Sequence, residues 1–226
     1  MNSDRPRATL RLMQLCSPML PVGAYAYSQG LEFAVSSGWI KDDNTTSIWI
    51  QGLLENSLTN LDMPLLSRLH NAWSVNDKKK VLYWNDFLFA SRDSRELQAE
   101  EQQLAHALAR LLGDLGISEA VEWRESSRAC FLTLFSLGAS HWKIPLNEAS
   151  WGYLWMWAEN QVLAAIKLVP LGQTSGQKIL SSAIAIIPEL VSTGLSLKDE
   201  NIGYTALGQG IASALHETQY SRLFRS

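Results

Sequence analysis

The sequence feature that most constrains the fold is a long amphipathic run between Asp93 and Leu115. Leucine recurs within it at the spacing of one helical face, at positions 97, 104, 108, 111 and 115. Charged residues occupy the polar positions between these leucines: Glu96, Glu100, Glu101 and Arg110. We therefore predict a long α-helix that buries its leucine face and keeps these charges on its polar face.

Helical signals also dominate the rest of the chain. Residues that favour helix N-termini occur at 42–46 and at Asn76-Asp77, and a proline opens a helix at Met63-Pro64. Further apolar helices are predicted over 10–16, 28–36, 126–138, 147–168 and 174–187. Because proline lacks an N–H and fixes φ, Pro170 and Pro188 are expected to stop or restart helices.

Alternating β-branched stretches are essentially absent from the chain. We therefore predict an all-α fold, a single-domain compact helical bundle of about ten helices that spans residues 1–226. In the helix predicted over 147–168, one stripe keeps helical spacing: Trp151, Trp155, Ala158 and Val162. This stripe is predicted to face the core, because no basic surface accompanies the tryptophans as a nucleic-acid platform would require.

Composition narrows the class of protein. Of the 226 residues, 46% are hydrophobic and 18% are charged, which indicates a folded globule rather than a disordered chain. The net charge of −3 does not suggest a surface that binds nucleic acid. The basic run Lys78-Lys79-Lys80 is expected on a solvated helix face. Cys16 and Cys130 form no CxxC pair and are predicted to be buried thiols in a reducing compartment. We find no signal peptide and no membrane-spanning window, and we predict a cytoplasmic location.

A loop rich in proline and glycine, SPMLPVGAYAYSQGLE, occupies residues 17–32. Pro18 and Pro21 show that residues 17–22 cannot lie in the interior of a helix, and Gly23 permits a turn. The next helix is predicted to begin at Ser28. The loop is either a connector whose tyrosines cap the core or a segment that presents Tyr27 to another molecule.

Motifs of enzymatic or nucleotide-binding sites are incomplete. The glycines from Gly172 to Lys178 do not have the spacing of a phosphate loop, and Gly208-Gln209-Gly210 lacks the strand of a dinucleotide site. His216-Glu217 begins an HExxH pattern, but Tyr220 replaces the second histidine. One alternative function remains, a small hydrolase or transferase that uses His216 and Glu217 as its base.

Two further segments are unusual. Lys167 ends a helix before a Pro/Gly turn, where it either neutralises the helix C-terminus or contacts a partner. The last residues, 217–226, combine apolar and basic side chains. Such an end either folds back on the core or is held for a partner that orders it.

Four segments, in chain order, resemble the urease accessory protein F family (UreF). They are SPMLPVGAYAYSQGLE from Ser17, SRDSREL from Ser91, KLVPLGQTSGQ from Lys167 and HETQYSRLFRS from His216. The resemblance implies a helical, non-catalytic maturation factor that works with the accessory protein UreD (also called UreH) and the GTPase UreG. Together they load nickel into the urease apoprotein. It also implies a homodimer without a cofactor or metal of its own, since nickel and GTP belong to the partners.

The resemblance and the unusual segments together give a set of expected partner-binding residues: Tyr27, Gln29, Glu32, Lys167, Gln173, His216, Tyr220, Arg222, Phe224 and Arg225. Tyr27 is expected to supply an amphipathic contact, and Glu32 and Lys167 are expected to supply charges that dock UreG. Residues 217–226 are expected to be a tail that becomes ordered when UreD binds.

Overall fold

The structure is a computed structural model that describes residues 4–203 and 206–226. Over these residues it contains ten α-helices and no β-strand, which confirms the predicted all-α class. The helices are α1 (Arg5–Leu15), α2 (Leu31–Ser36), α3 (Asp43–Leu53), α4 (Met63–Ser74), α5 (Lys78–Ala90), α6 (Arg95–Asp114), α7 (Phe131–His141), α8 (Leu146–Leu168), α9 (Gln173–Ser196) and α10 (Leu207–His216).

Helix α4 lies at the centre of the fold and packs against α5, α7 and α9, while α8 packs along α9. The main hydrophobic cluster fills the space between these helices. A second, smaller cluster lies beneath α2, where Leu31 and Ala34 meet Ala165 and Val169 of the α8 end. Phe224 from the C-terminal segment completes this second cluster. Burying a side chain of this size contributes about 1.5–3 kcal/mol, so the segment is packed into the fold.

Several helix starts follow the predicted capping chemistry. The Asp42 side chain accepts a hydrogen bond from the Thr45 N–H at 2.8 Å, and Thr45 bonds back to the Asp42 backbone. Asp77 caps α5 by accepting from the Lys80 N–H at 3.1 Å, and Ser94, which was not predicted as a cap, caps α6 by accepting from the Leu97 N–H at 3.1 Å. These contacts satisfy N–H groups that the first helical turn leaves without partners.

A nine-residue π-helix, Leu54–Asp62, joins α3 to α4 and was not predicted. Its wider turn is visible in i→i−5 contacts, in which the Thr59 hydroxyl donates to the Leu54 carbonyl at 2.7 Å. π-Helical segments are rare and often occur at functional sites. Here the segment ends at Asp62, whose carboxylate is buried in the centre of the molecule.

Three predicted helix starts are wrong. Helix α1 begins at Arg5 rather than at Leu10. Helix α2 begins at Leu31 rather than Ser28, because Gln29 (φ 55°) and Gly30 (φ 84°) are in the left-handed region. Helix α7 begins at Phe131 rather than near Ser126. Its first N–H groups are bonded by side chains of other helices, since Glu101 accepts from the Phe131 N–H at 2.7 Å.

Helix α9 differs from the prediction in two ways. Pro188 lies inside it without ending it, on the exposed side where the carbonyl that proline leaves unbonded can be hydrated. The helix is also long and apolar enough, by length and composition, to cross a membrane, so the prediction that the chain has no membrane-spanning window is wrong on this test. Only Lys178 and Glu189 carry charge along its length. In the structure it packs against α8, α4 and α3.

The predicted tryptophan stripe of α8 is only partly correct. Ala158 and Val162 are buried, but Trp151 is 43% exposed and Trp155 is half-buried. The helix is rotated relative to the prediction, so that Tyr153 and Trp157 face the core. Both cysteines are buried free thiols, as predicted.

Candidate functional site

The C-terminal segment, residues 217–226, lies in a seat that we call the tail seat. Its walls come from the loop before α2, from α2 itself, from α6 and from α10. The loop reaches α10 closely: a Cβ on Gly30 would lie 2.9 Å from the Ser213 nitrogen and 3.1 Å from the Ala212 Cβ. Glycine is therefore required at position 30 both for its positive φ and for the space.

Glu32 holds the backbone of the tail. Its carboxylate accepts hydrogen bonds from the N–H groups of Leu223 at 2.6 Å and Phe224 at 2.9 Å, and it is 6% exposed. The expectation that Glu32 presents a docking charge on the surface is therefore wrong for this conformation. The side chain is used within the chain, where it satisfies backbone donors that would otherwise be buried without partners.

His216 lies between two carboxylates. Its Nε2 is 3.1 Å from Glu32 Oε2, its Nδ1 is 2.6 Å from Glu96 Oε2, and its ring is completely buried. Arg222 donates to the second oxygen of Glu96 at 2.7 Å. His216 thus joins α10 to α2 and α6 and is not a surface contact, contrary to the sequence-based expectation.

The hydrolase or transferase alternative required His216 and Glu217 to act together. In the structure they bind different groups, because Glu217 accepts a hydrogen bond from the Arg95 N–H at 3.1 Å. The imidazole has no exposed surface through which a substrate could reach it. The arrangement is that of a structural cross-link and does not present a base to a substrate.

The end of the tail is held by the loop before α2. The N–H and hydroxyl of Ser28 both donate to the main-chain oxygen of Ser226, at 2.9 and 2.5 Å. The Ser226 hydroxyl donates to Glu100 at 2.8 Å, and Gln29 donates to the other oxygen of Glu100 at 2.7 Å. Trp157 in turn donates to Gln29. The expected surface residue Gln29 is therefore a bridge between α8 and α6.

Burial raises the pKa of Glu100 to about 7, against the opposing effect of its hydrogen bonds from Gln29 and Ser226. Glu100 and Glu101 were predicted on the polar face of α6, yet both are almost completely buried. Sequence periodicity cannot distinguish a solvated glutamate from one that faces a polar cluster formed by other helices.

Of the other residues that were expected to bind partners, one is buried and the rest are exposed. Tyr27 is 5% exposed and belongs to the core, as the connector interpretation of its loop requires, whereas Tyr25 of the same loop is 68% exposed. Lys167 is exposed in the last turn of α8, with its ammonium 5.5 Å from the centre of the Phe224 ring. The side chains that reach solvent are those of Gln173, Tyr220, Arg222 and Arg225.

A second buried cluster, which we call the inner ion cluster, lies next to the tail seat and was missed in the sequence. Arg92 bonds Asp62 at 2.8 Å and also pairs with Glu101, and the Tyr153 hydroxyl donates to Asp62 at 2.9 Å. Burial works against the charge of Arg92, but the carboxylates of Asp62 and Glu101 outweigh it and raise the Arg92 pKa well above its usual value. The one sequence feature that pointed toward this cluster was Arg92, which lies in the segment SRDSREL.

A cavity of about 80 Å³ separates the two clusters and is lined by residues of both, among them Gln29, Arg92 and Glu100. Within the described part of the chain, no group of three His, Cys, Asp or Glu side chains is arranged to hold a metal ion. The carboxylates of the tail seat and of the inner ion cluster are instead paired with the arginines, His216 and backbone N–H groups described above.

Helix α10 has an inverted amphipathic pattern. Gln209, Ser213 and His216 face inward and are buried, and Ser213 hydrogen-bonds Ser94 at 2.7 Å. Its outer face is apolar and exposed: Leu207 (78%), Ile211 (52%) and Leu215 (44%). In the tail, Tyr220 and Leu223 are also exposed. Contiguous exposed apolar surface of this kind marks sites of protein association.

A second apolar surface lies on the side formed by α1, α8 and α9. It is a groove of about 580 Å³ lined by Leu12, Met13, Cys16, Trp151, Gly152, Trp155, Ile187 and other apolar residues. Met13 is 64% exposed, and Trp151 and Ile184 are also exposed at the groove. The surface therefore combines a recess with projecting apolar side chains.

Comparison with known proteins identifies the family. The UreF family model matches residues 40–184. A protein of Alkalilimnicola ehrlichii named urease accessory protein UreF is 49% identical over 219 residues, covering 97% of this chain and 96% of its own length. Proteins with the same name from Hahella chejuensis (44% over 221 residues, 98% of this chain and 99% of that protein) and Teredinibacter turnerae (46% over 217 residues, 96% and 98%) are also similar. The chain therefore belongs to the UreF family of urease accessory proteins.

Proposed function

We propose that this protein assists nickel insertion into apo-urease, bridges UreD/UreH and the GTPase UreG, and modulates the GTPase cycle of UreG. The proposal is supported by the full-length similarity to proteins named UreF and by the outward apolar face of α10. Nickel and GTP then belong to the partners, and this chain acts in the cytoplasm as a non-catalytic factor that supplies protein-binding surfaces.

The outer face of α10 is the proposed binding surface for UreD. Leu207, Ile211 and Leu215 are one turn apart, as in helices that insert an apolar face into a groove of a partner. Tyr220 and Leu223 of the tail, which are also exposed, are proposed to contribute to the same surface. Packing of the tail against Glu32 therefore keeps this surface in one arrangement.

UreG is proposed to dock at the turn between α8 and α9. Lys167 and Gln173 are exposed on either side of this turn. A charged residue at the rim of an interface mainly sets specificity and association rate. Glu32, which was expected to share this role, holds the tail, and Tyr27, which was expected to supply an amphipathic contact, lies in the core.

The groove between α1, α8 and α9 is the proposed homodimer surface. A two-fold interface requires one patch to complement itself, and this patch has both a recess and projecting side chains. Replacing Trp151 with glutamate is expected to give a monomer in size-exclusion chromatography with light scattering. Ile48, which is 62% exposed on α3 outside the groove, provides the control substitution Ile48→Glu. A wild-type monomer, or a dimeric Trp151→Glu variant, would contradict the assignment.

The decisive experiment is reconstitution of urease activation from apo-urease, UreD, UreG, nickel, bicarbonate and GTP, with and without this chain. Activation that depends on the chain supports the proposed function, and activation without it contradicts that function. The variant Ile211→Asp is expected to abolish capture of UreD, whereas Leu82→Asp, on exposed surface of α5, is expected to retain it. Equal capture by both variants would remove α10 from the proposed UreD surface.

A further inference from the structure

We propose that the first turns of α5 form a docking surface for an acidic segment of a partner protein. The carboxylates of that segment meet a lysine ridge, Lys78–Lys80, and one of its bulky apolar side chains fills a recess beside the ridge. This surface has no residue in common with the α10 face, the turn between α8 and α9 or the apolar groove. Its occupant is therefore a further ligand, independent of the partners assigned to those surfaces.

The recess, which we call the tryptophan recess, lies between α5 and the 3₁₀-helix Ser118–Trp123 and has a volume of about 210 Å³. Trp73 and Trp123 both line it, with their ring centroids 6.3 Å apart. Leu82, which also lines it, is 54% exposed, and the neighbouring Tyr83 is 60% exposed. Aromatic walls around a concave site accept one large apolar side chain, the kind of anchor that dominates many protein interfaces.

The indole N–H of Trp123 gives a separate reason to expect an occupant. Trp123 is 3% exposed, and among the residues that the structure describes its N–H has no hydrogen-bond acceptor. The other indole of the recess is satisfied, because Trp73 donates to the Thr133 carbonyl at 3.0 Å. A buried donor without an acceptor is costly. A peptide in the recess brings backbone carbonyls, which are acceptors, to the side of this ring.

The lysine ridge separates the tryptophan recess from a second, more polar one. Lys78 lines the tryptophan recess, whereas Lys80 lines the second recess together with Arg68. Successive helical residues are about 100° apart around the axis, so Lys79 lies between these two directions. Lys79 is exposed and, over the part of the chain that the structure describes, takes part in no ion pair. Cations thus border the tryptophan recess and continue away from it.

The carboxylates already present beside the ridge do not neutralise it firmly. Lys78 pairs with Glu122 at 3.2 Å and Lys80 pairs with Asp77 at 3.4 Å, and each of these four side chains is at least 32% exposed. Exposed ion pairs contribute little, because water and salt screen them. A carboxylate of the partner can therefore replace Glu122 beside Lys78 with little loss, and another can pair with Lys79.

The combination of features favours a protein segment over a nucleic acid. A nucleic-acid surface presents several unpaired cations that follow a phosphate backbone. Here two of the three lysines already have a carboxylate partner, and an apolar recess adjoins them. An acidic peptide with one apolar anchor matches both the ridge and the recess, whereas a polyanion matches the ridge alone.

The test measures binding of fluorescently labelled peptides to the intact chain by fluorescence anisotropy. The first probe is a short acetylated and amidated peptide with one central phenylalanine flanked by glutamates, and the second has alanine in place of the phenylalanine. The first probe is expected to bind, with an affinity that falls as salt rises. The alanine probe is expected to bind at least about fivefold more weakly, as the loss of an interface anchor predicts. No binding of the first probe, or equal binding of both, would overturn the proposal; equal binding would indicate attraction of a polyanion only.

Two substitutions locate the binding site. Leu82→Asp places a carboxylate at the tryptophan recess, and Lys79→Glu reverses the charge at the middle of the ridge. Each is expected to weaken binding of the phenylalanine probe at least about fivefold. The matched controls are Ile48→Asp and Lys41→Glu, at exposed positions in and before α3, and both should bind like wild type. Far-UV circular dichroism verifies that each variant is folded. Folded Leu82→Asp and Lys79→Glu variants that bind as tightly as their controls would overturn the proposal.

Discussion

The tail seat and the inner ion cluster use carboxylates of the same helix, α6, but neutralise them differently. In the inner ion cluster, Arg92 faces Asp62 and Glu101, and its guanidinium keeps its charge at every accessible pH. In the tail seat, Glu96 and Glu32 share the imidazole of His216, and Glu32 also accepts from the backbone N–H groups of Leu223 and Phe224.

The difference extends to what each cluster holds together. The inner ion cluster joins long helices and the π-helix, all of which bury other surface in the main core. The tail seat holds ten residues, 217–226, of which only Phe224 and Ser226 are buried. A guanidinium thus neutralises the carboxylates in the body of the protein, whereas an imidazole and backbone N–H groups bind the carboxylates that hold the segment with the least packing of its own. The following predictions test this contrast.

The largest effect is expected from Arg92→Ala, which leaves Asp62 and Glu101 buried without a cation. Breaking a buried ion pair by removing one partner costs about 3–5 kcal/mol. Urea denaturation should show this loss as a lower midpoint for the whole chain. The control is Arg128→Ala, because Arg128 and Asp86 form an exposed pair at 3.9 Å, and exposed pairs contribute about 0–1 kcal/mol. Equal losses in the two variants would contradict the contrast.

Glu32→Gln is expected to act locally. The amide can accept only one of the two tail N–H groups well, and hydrogen bonds to a charged acceptor contribute about 1.5–3 kcal/mol. Hydrogen exchange should therefore accelerate in residues 217–226 while the amides of α4 stay protected. Glu55→Gln, at an exposed position of the π-helix, is the control. Loss of α4 protection in Glu32→Gln would mean that the seat and the body unfold as one unit.

Gly30→Ala tests the close approach of the loop to α10. Alanine at a positive φ costs about 1–2 kcal/mol, and its Cβ would also meet the Ser213 nitrogen at 2.9 Å. Gly38→Ala is a matched control, since Gly38 has φ +74° and no atom within 4 Å of an added Cβ. Thermal unfolding and exchange of the tail should therefore be more affected by Gly30→Ala. Similar effects would show that backbone strain alone matters at position 30.

The smallest effect is expected from Lys167→Ala, which removes the ammonium from the Phe224 ring. Cation–π contacts at exposed sites contribute about 0.5–1 kcal/mol. Tail exchange should rise slightly, and Lys167→Arg should restore it because arginine can also lie over the ring. If Lys167→Arg is no better than alanine, the ammonium does not stabilise the tail through Phe224.

Much of the secondary structure was predictable because its signals are local. Asp42, Asp77 and Pro64 mark helix starts through chemistry within a few residues, and each start was found. The π-helix and the uninterrupted path of α9 through Pro188 were missed. Both features depend on packing against neighbouring helices and on which side of the helix faces solvent. The residues close in sequence do not determine either of these.

The candidate site was predictable only in part. Segments that the resemblance singled out do meet in space, through Glu32, His216, Arg222 and Phe224. It placed them on a surface, although three of the four are buried. Glu100 escaped notice because its partner Ser226 is 126 residues away, and helical periodicity describes only neighbours within the same helix.

The contact between Ser28 and Ser226 spans 198 residues of sequence. Contacts of such high separation form late, because the intervening chain must first be ordered. During synthesis α2 and α6 emerge well before the tail, and domains fold from the N-terminal side as they appear. The newly made protein therefore passes through a stage in which its body is folded while Glu32, Glu96 and Glu100 are still hydrated. Docking of the tail is then the step that completes maturation of this chain itself.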